Sequence, residues 1–208
     1  MNTSETSLAT VIRERRSVRK YDPNLKISQE EILDILKEAT LAPSSSNLQP
    51  WKFLVIQDEE TKKELRMIAN NQEQVETASA VIAVLGDREM YHNGERVYRS
   101  SFEAGYMDET TMSRMIENTN KLYPAAPIGI RENIASFDAG LVSMQLMLVA
   151  RARGYDTVPM GGFNKQQFIE KFNIDDRYMP VLLLALGKAA APGHPTTRIP
   201  VEEIVEFI

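Results

Sequence analysis

Between Arg131 and Arg153 the chain runs for about six helical turns with apolar residues on every side. Ile134, Phe137, Leu141, Met144, Leu148 and Ala152 trace one stripe, and Val142, Leu146, Met147 and Val149 fill the flanks. A helix apolar all round is buried in a core or sandwiched between layers. In a protein of 208 residues, a central helix shared with a second subunit accounts for such a segment. Gly154 supplies its stop.

Shorter elements surround it. Ser28 to Glu31 has the form of a capping box, and Ile32, Leu33, Leu36 and Ala39 follow at helical spacing, predicting a helix to about Leu41 before Pro43. Lys52 to Ile56 and Ala80 to Leu85 read as strands, with a helix capped by Asp58 between them. From Arg88 to about Tyr123 the pattern is polar with scattered aromatic residues and methionines, and helical excursions are expected there. Tyr155–Val158 and Pro180–Leu186 read as strands around a helix at Asn164–Phe172, and a last amphipathic turn spans Val201–Phe207. Helices alternating with roughly four strands give an α/β or α+β sheet flanked by helices, in one domain, 1–208.

Composition removes several functions. No cysteine is present, so thiolate catalysis, disulfides and iron–sulfur ligation are excluded, and only two histidines exist for a metal site. A net charge of −5 argues against a general nucleic-acid binder. Met1–Arg16 carries charges before any apolar run forms, unlike a secretory signal, and Val181–Leu186, matched in length by Ala80–Leu85, is far short of a bilayer span. A soluble, cytoplasmic protein off the membrane is expected. After the strand ending at Ile56 comes Gln57-Asp58-Glu59-Glu60, which would repel a pyrophosphate, so a dinucleotide fingerprint fails.

Three segments carry candidate chemistry. Arg15-Arg16-Ser17-Val18-Arg19-Lys20 places four cations in six residues: a solvated helix end, or a clamp of guanidinium forks on anionic oxygens. Pro43-Ser44-Ser45-Ser46-Asn47-Leu48-Gln49-Pro50-Trp51 is a proline-bracketed turn, or a set of neutral donors and acceptors for the edge of a polar heterocycle. Pro159-Met160-Gly161-Gly162 ends a strand, and its paired glycines allow close backbone approach and positive φ. Met112, Met115, Phe102 and Tyr123 are either lids over a flat ligand or ordinary helix packing.

Taken in order, Arg-Arg-Ser-x-Arg, Pro-Ser-Ser-x-Asn-x-Gln-Pro-Trp and Pro-x-Gly-Gly resemble the FMN-dependent nitroreductase family, in its bacterial NAD(P)H nitroreductase branch. Asn71 to Val75 and Arg198 extend the resemblance over essentially the whole chain. It implies an α+β fold with a central mixed sheet, and a homodimer with the long helix buried at its interface. It further implies two FMN molecules between the subunits. By the same match, Arg15, Arg16, Ser17 and Arg19 bind the phosphate, ribityl chain and pyrimidine edge. Pro43, Ser44, Ser45, Asn47 and Gln49 reach the flavin of the other subunit. Asn71 and Gln74 meet the pyrimidine edge, although some members carry lysine where Gln74 stands. Pro159, Met160, Gly161 and Gly162 lie beside the isoalloxazine, Arg198 returns to the phosphate, and Lys188 is a further candidate.

The implied reaction is ping-pong hydride transfer from NAD(P)H through FMN to a nitroaromatic, quinone or flavin. No catalytic side chain and no metal are required. Another redox reaction on the same FMN scaffold, or a flavin-binding module without turnover, are the alternatives.

Overall fold

The computed structural model describes residues 7–208; the start of the Met1–Arg16 segment lies outside them. Four strands, β1 (Trp51–Ile56), β2 (Ala80–Asp87), β3 (Asp156–Met160) and β4 (Tyr178–Gly187), form one sheet in the order β1-β2-β4-β3. All three strand ladders are antiparallel, pairing Trp51 with Gly86, Ala80 with Leu186 and Asp156 with Gly187 at their ends. The parallel component is a bridge between Ser17 and Thr157 outside the named strands.

Eight helices sit around the sheet among the described residues: α1 (Leu8–Glu14), α2 (Gln29–Ala39), α3 (Glu59–Ile68), α4 (Glu73–Thr77), α5 (Gly94–Glu103), α6 (Glu109–Ala125), α7 (Ile128–Ala152) and α8 (Lys165–Phe172). Side-chain alternation divides the core between the two sheet faces. Val81, Ala83, Leu85, Leu183, Ala185, Val158 and Met160 pack with Leu65 of α3 and Phe168 of α8. Ala80, Ile82, Val84, Leu184 and Leu186 meet Ile32, Ile35 and Leu36 of α2 and Val142, Leu146 and Ala150 of α7. Period-two alternation explains this, since neighbouring residues of a strand point to opposite faces. The central strands β2 and β4 are therefore apolar on both sides. Each fully buried Leu or Ile contributes about 1.5–3 kcal/mol.

Helix α7 spans 25 residues and is long and apolar enough to cross a bilayer on length and composition alone. Its inner face is buried against the sheet and α2. A second face is bare: Ile130 is 51%, Phe137 64% and Met144 41% exposed, spaced at helical intervals. Helix α2 begins as its sequence predicts, with Ser28 Oγ accepting from the Glu31 N–H at 3.1 Å. The reciprocal half of the box does not form. Glu31 instead takes the Arg153 guanidinium at 3.2 Å, where α7 ends.

Candidate functional site

The segment carrying Arg15 to Arg19 leaves α1 and runs alongside β3. Its Val18 N–H donates to the Thr157 carbonyl at 3.1 Å. Lys20 pairs with Glu73 at 2.5 Å, tying it also to α4. Arg16 turns back onto the end of α1, donating to the carbonyls of Arg13 (2.5 Å) and Arg15 (2.9 Å). That is the helix-end role expected of a cation at a helix C-terminus.

Beyond β4 the chain returns over this segment. Ala190 N–H donates to the Lys20 carbonyl at 2.8 Å. Gly193 lies so close that an added Cβ would stand 2.6 Å from Arg16 Cβ and 3.1 Å from the Ser17 carbonyl oxygen. Arg198 thereby joins the cluster. Burial holds the Arg15 guanidinium below its ordinary value, and the charges of Arg16 and Arg198 add to the effect. Among the described residues, none of Arg15, Arg16, Arg19 or Arg198 forms an ion pair with a carboxylate. Thr157 Oγ1, beside Ser17 in the bridge, is buried without a hydrogen-bond partner. Crowded cations lacking counter-charge, next to an orphaned hydroxyl, fit an anionic ligand rich in oxygen. Lys188 is turned elsewhere, its Nζ donating to the Gly154 carbonyl at 2.6 Å.

Four residues further along β3, about 13 Å at strand rise, comes the Gly161-Gly162 turn. The Gly162 carbonyl accepts from Asn70 Nδ2 and Gln72 Nε2, both at 2.9 Å. Buried Gln74 donates through Nε2 to Gln72 Oε1 (2.9 Å) and to Met160 Sδ (3.4 Å). The structure thus brings Gln74 and the glycine turn together. Asn71 is engaged differently, its Oδ1 accepting from Arg66 Nε at 2.8 Å. The expectation of positive φ at the paired glycines is corrected. Neither adopts it, and the space beside Gly161 is open, since an added Cβ would meet nothing within 4 Å. Pro159, Gly161 and Gly162 are exposed, which leaves an open face.

The third group, Pro43 to Gln49, makes its hydrogen bonds with α5, α6 and α7 and, among the described residues, none with the first two. Three of its residues other than glycine hold left-handed backbone: Ser46 (φ 51°), Asn47 (φ 53°) and Gln49 (φ 50°). Such residues persist only where surroundings over-determine them, and they cluster at functional sites. Asp138 of α7 accepts from the Ser45 N–H at 2.9 Å and from Ser45 Oγ at 3.1 Å. Tyr98 donates to the Ser46 carbonyl (2.8 Å), Tyr123 bonds Ser46 Oγ (2.9 Å), and Asn93 Nδ2 donates to the Leu48 carbonyl (2.9 Å). Ser44 Oγ accepts the Gln49 N–H at 3.0 Å. The Ser45 hydroxyl proton is therefore spent inside the chain, while Asn47 stays exposed and Gln49 half-buried.

Asp138, Tyr98 and Tyr123 as braces of this loop escaped the sequence reading. One signal was available: Asp138 is the sole acid between Glu132 and Asp156, in an otherwise apolar helix, and a buried charge there requires partners. Burial outweighs the two hydrogen bonds from Ser45 and raises its carboxyl above the usual range. Of the four proposed lid residues, Met112, Met115 and Tyr123 pack in a cluster with Leu48, Met90 and Tyr98, whereas Phe102 is 39% exposed.

Comparisons with known proteins identify the family. The model of the nitroreductase family matches residues 12–188. The Bacillus subtilis protein YdgI, named for NAD(P)H nitroreductase, is 47% identical over 199 residues, covering 95% of each chain. The enone reductase of CLA biosynthesis from Lactiplantibacillus plantarum is 34% identical over 210 residues, covering 100% of this chain and 97% of that one. A crystal structure of a nitroreductase from Exiguobacterium sibiricum, in complex with FMN, superposes with a TM-score of 0.94 at 47% identity over 100% of both chains. With its sheet, its arginine cluster and its glycine turn so placed, the chain belongs to the nitroreductase family.

Proposed function

We propose that this protein is an NAD(P)H-dependent FMN oxidoreductase, acting as a homodimer in the cytoplasm and passing hydride to electron-poor acceptors: nitroaromatics, quinones or flavins. One observation carries the reading. Arg15, Arg16 and Arg198 crowd together without carboxylate partners at one end of β3, and an open glycine turn lies at the other. That spacing suits a ligand with an anionic tail and a flat ring. The FMN in the similar crystal structure and the NAD(P)H in the relative's name support it.

The chain's own residues have separable tasks. Arg15, Arg16, Ser17, Arg19 and Arg198 hold the phosphate and ribityl oxygens, each charge-assisted hydrogen bond being worth about 1.5–3 kcal/mol. Arg19 would serve the ring's pyrimidine edge, where a cation would favour the reduced, more negative state. Gln74 and Asn71 orient that edge, and the Met160 to Gly162 backbone offers N–H donors while Gly161 leaves space above. Pro43, Ser44, Ser45, Asn47 and Gln49 face the ring bound by the second copy. FMN, when bound, supplies the two-electron centre that donor and acceptor use in turn, by a ping-pong scheme. No side chain is required to move a proton in the hydride step.

The second copy covers the bare face of α7, where Phe137 and Met144 are exposed; Leu8 and Ile12 of α1 are exposed as well. An exposed apolar stripe of this kind marks an association site.

Purified protein should be yellow, release FMN on denaturation, and oxidise NAD(P)H with a quinone or nitroarene. Varying both substrates should give parallel double-reciprocal lines. Replacing Arg15 and Arg19 together by Ala should yield folded, colourless protein. Unchanged flavin affinity in that variant would sink the reading.

A further inference from the structure

Between the strained loop and α5 lies a cavity of about 340 Å³ whose α5 wall the oxidoreductase reading leaves unused. Asn47 and Gln49 form one wall, and Arg96, Ser100 and Tyr106 contribute another. No carboxylate lines it. Arg96 is the one charged group there, and its neighbours on α5 leave it free: Glu95, the nearest acid in sequence, is held by Arg99 at 2.9 Å. Among the described residues, Arg96 forms no ion pair. Ser100, one turn further on the same helix face, is exposed beside it. Ser101 has its hydroxyl on the Val97 carbonyl at 3.0 Å. The Tyr106 ring is 84% exposed, so an apolar plane borders the cation.

This is an unusual place for an unpaired cation. The protein carries a net charge of −5, so anionic substrates are repelled over most of its surface. A lone guanidinium beside neutral hydrogen-bonding groups reverses that locally, and its planar fork matches carboxylate or phosphate oxygens. Tight bracing of the loop by Asp138, Tyr98 and Tyr123 holds Asn47 in fixed register with it.

We propose that this cavity is the subsite for the anionic group of a flat substrate. Arg96 would take the charge, and Asn47 and Ser100 would supply neighbouring hydrogen bonds. The proposal rests on the reading that loop 43–49 faces the flavin of the second copy, so the cavity opens beside the ring. Two substrates bring this chemistry: an acceptor bearing a carboxylate, and NADPH with its 2′-phosphate.

The test uses FMN-loaded enzyme. With NADH as donor, kcat/KM is compared for 4-nitrobenzoate and its neutral isostere 4-nitrobenzamide. With p-benzoquinone as acceptor, kcat/KM is compared for NADPH and NADH. Arg96→Ala should lower one of these anion-to-neutral ratios about tenfold, equivalent to about 1.4 kcal/mol. Arg96→Lys should retain most of the preference, and Arg96→Glu should invert it. A fall in the acceptor pair assigns the subsite to a carboxylate on the acceptor. A fall in the donor pair assigns it to the 2′-phosphate. If both ratios are the same in wild type, Arg96→Ala and Arg96→Glu while flavin absorbance stays stoichiometric, the subsite is overturned. Protein that cannot be loaded with FMN would instead overturn the cofactor reading, and the subsite with it.

Discussion

Asp138 shows how one side chain can set the geometry of a loop 93 residues away in sequence. Its two oxygens take the N–H and the hydroxyl of Ser45, and the loop beyond adopts three left-handed residues that a free chain would avoid. Left-handed backbone costs roughly 1–2 kcal/mol per residue when it is not glycine, so this anchoring has to be strong. The folded state raises the Asp138 carboxyl above its ordinary value through burial. A group whose folded value is raised binds its proton more tightly in the folded chain. Its contribution to stability is therefore complete in acid, below an unfolded value of about 4, and is lost as pH rises through the folded value. Asp138→Asn cannot ionise, so its urea midpoint should fall less than that of wild type between pH 4 and pH 8. A parallel pair of midpoint curves would show that Asp138 is not the titrating group. In the sequence only the lone acid of α7 hinted at this. The loop's Ser and Asn residues predicted a turn, but positive φ at Ser46 and Gln49 has no local marker, and the brace comes from a distant helix.

At the scale of elements, legibility tracked length and capping. Helices α2, α3 and α8 were readable because Ser28, Asp58 and Asn164 each accept from the N–H three residues on, ahead of a periodic apolar run. The 7-residue α1 and 5-residue α4 carry too few turns for a period to show, and both escaped. The strands were legible as apolar runs, though their order was not: β4 lies between β2 and β3, a pairing fixed by packing on both faces. Periodicity and composition do not reveal that the segment after β4 folds back over Arg16, and only the family resemblance pointed there. That return depends on Gly193, where a Cβ would strike Arg16 Cβ and the Ser17 carbonyl, neither of which can swing away as a side-chain tip could. Gly193→Ala should displace the tail and Arg198 with it, weakening FMN binding about tenfold, or about 1.4 kcal/mol. The fold should be unaffected, because residues 194–208 are exposed. Fluorescence of released flavin against protein dilution measures the first, and a thermal melt of the flavin-free protein the second.

For the whole molecule, the resemblance in the sequence and the bare stripe on α7 both support the proposed second copy. A solitary chain would leave Ile130, Phe137 and Met144 in water. Phe137→Glu places a charge at the centre of that stripe and should shift the protein from dimer to monomer in light scattering. In the proposed assembly flavin should leave with the partner, since loop 43–49 would no longer reach the ring. A monomer that keeps full activity would break the link between assembly and the site.

The crowding of Arg15 with Arg16 and Arg198 also bears on how the protein behaves at the bench. Stripped of its cofactor, the chain is left with mutual repulsion at one end of β3, and any small oxyanion in the tube can relieve it. Phosphate or sulfate buffers should therefore raise the melting temperature of the apoprotein above that in Tris at equal ionic strength, by mass action on the native state. The same ions would compete with cofactor reloading, so reconstitution belongs in a buffer without them.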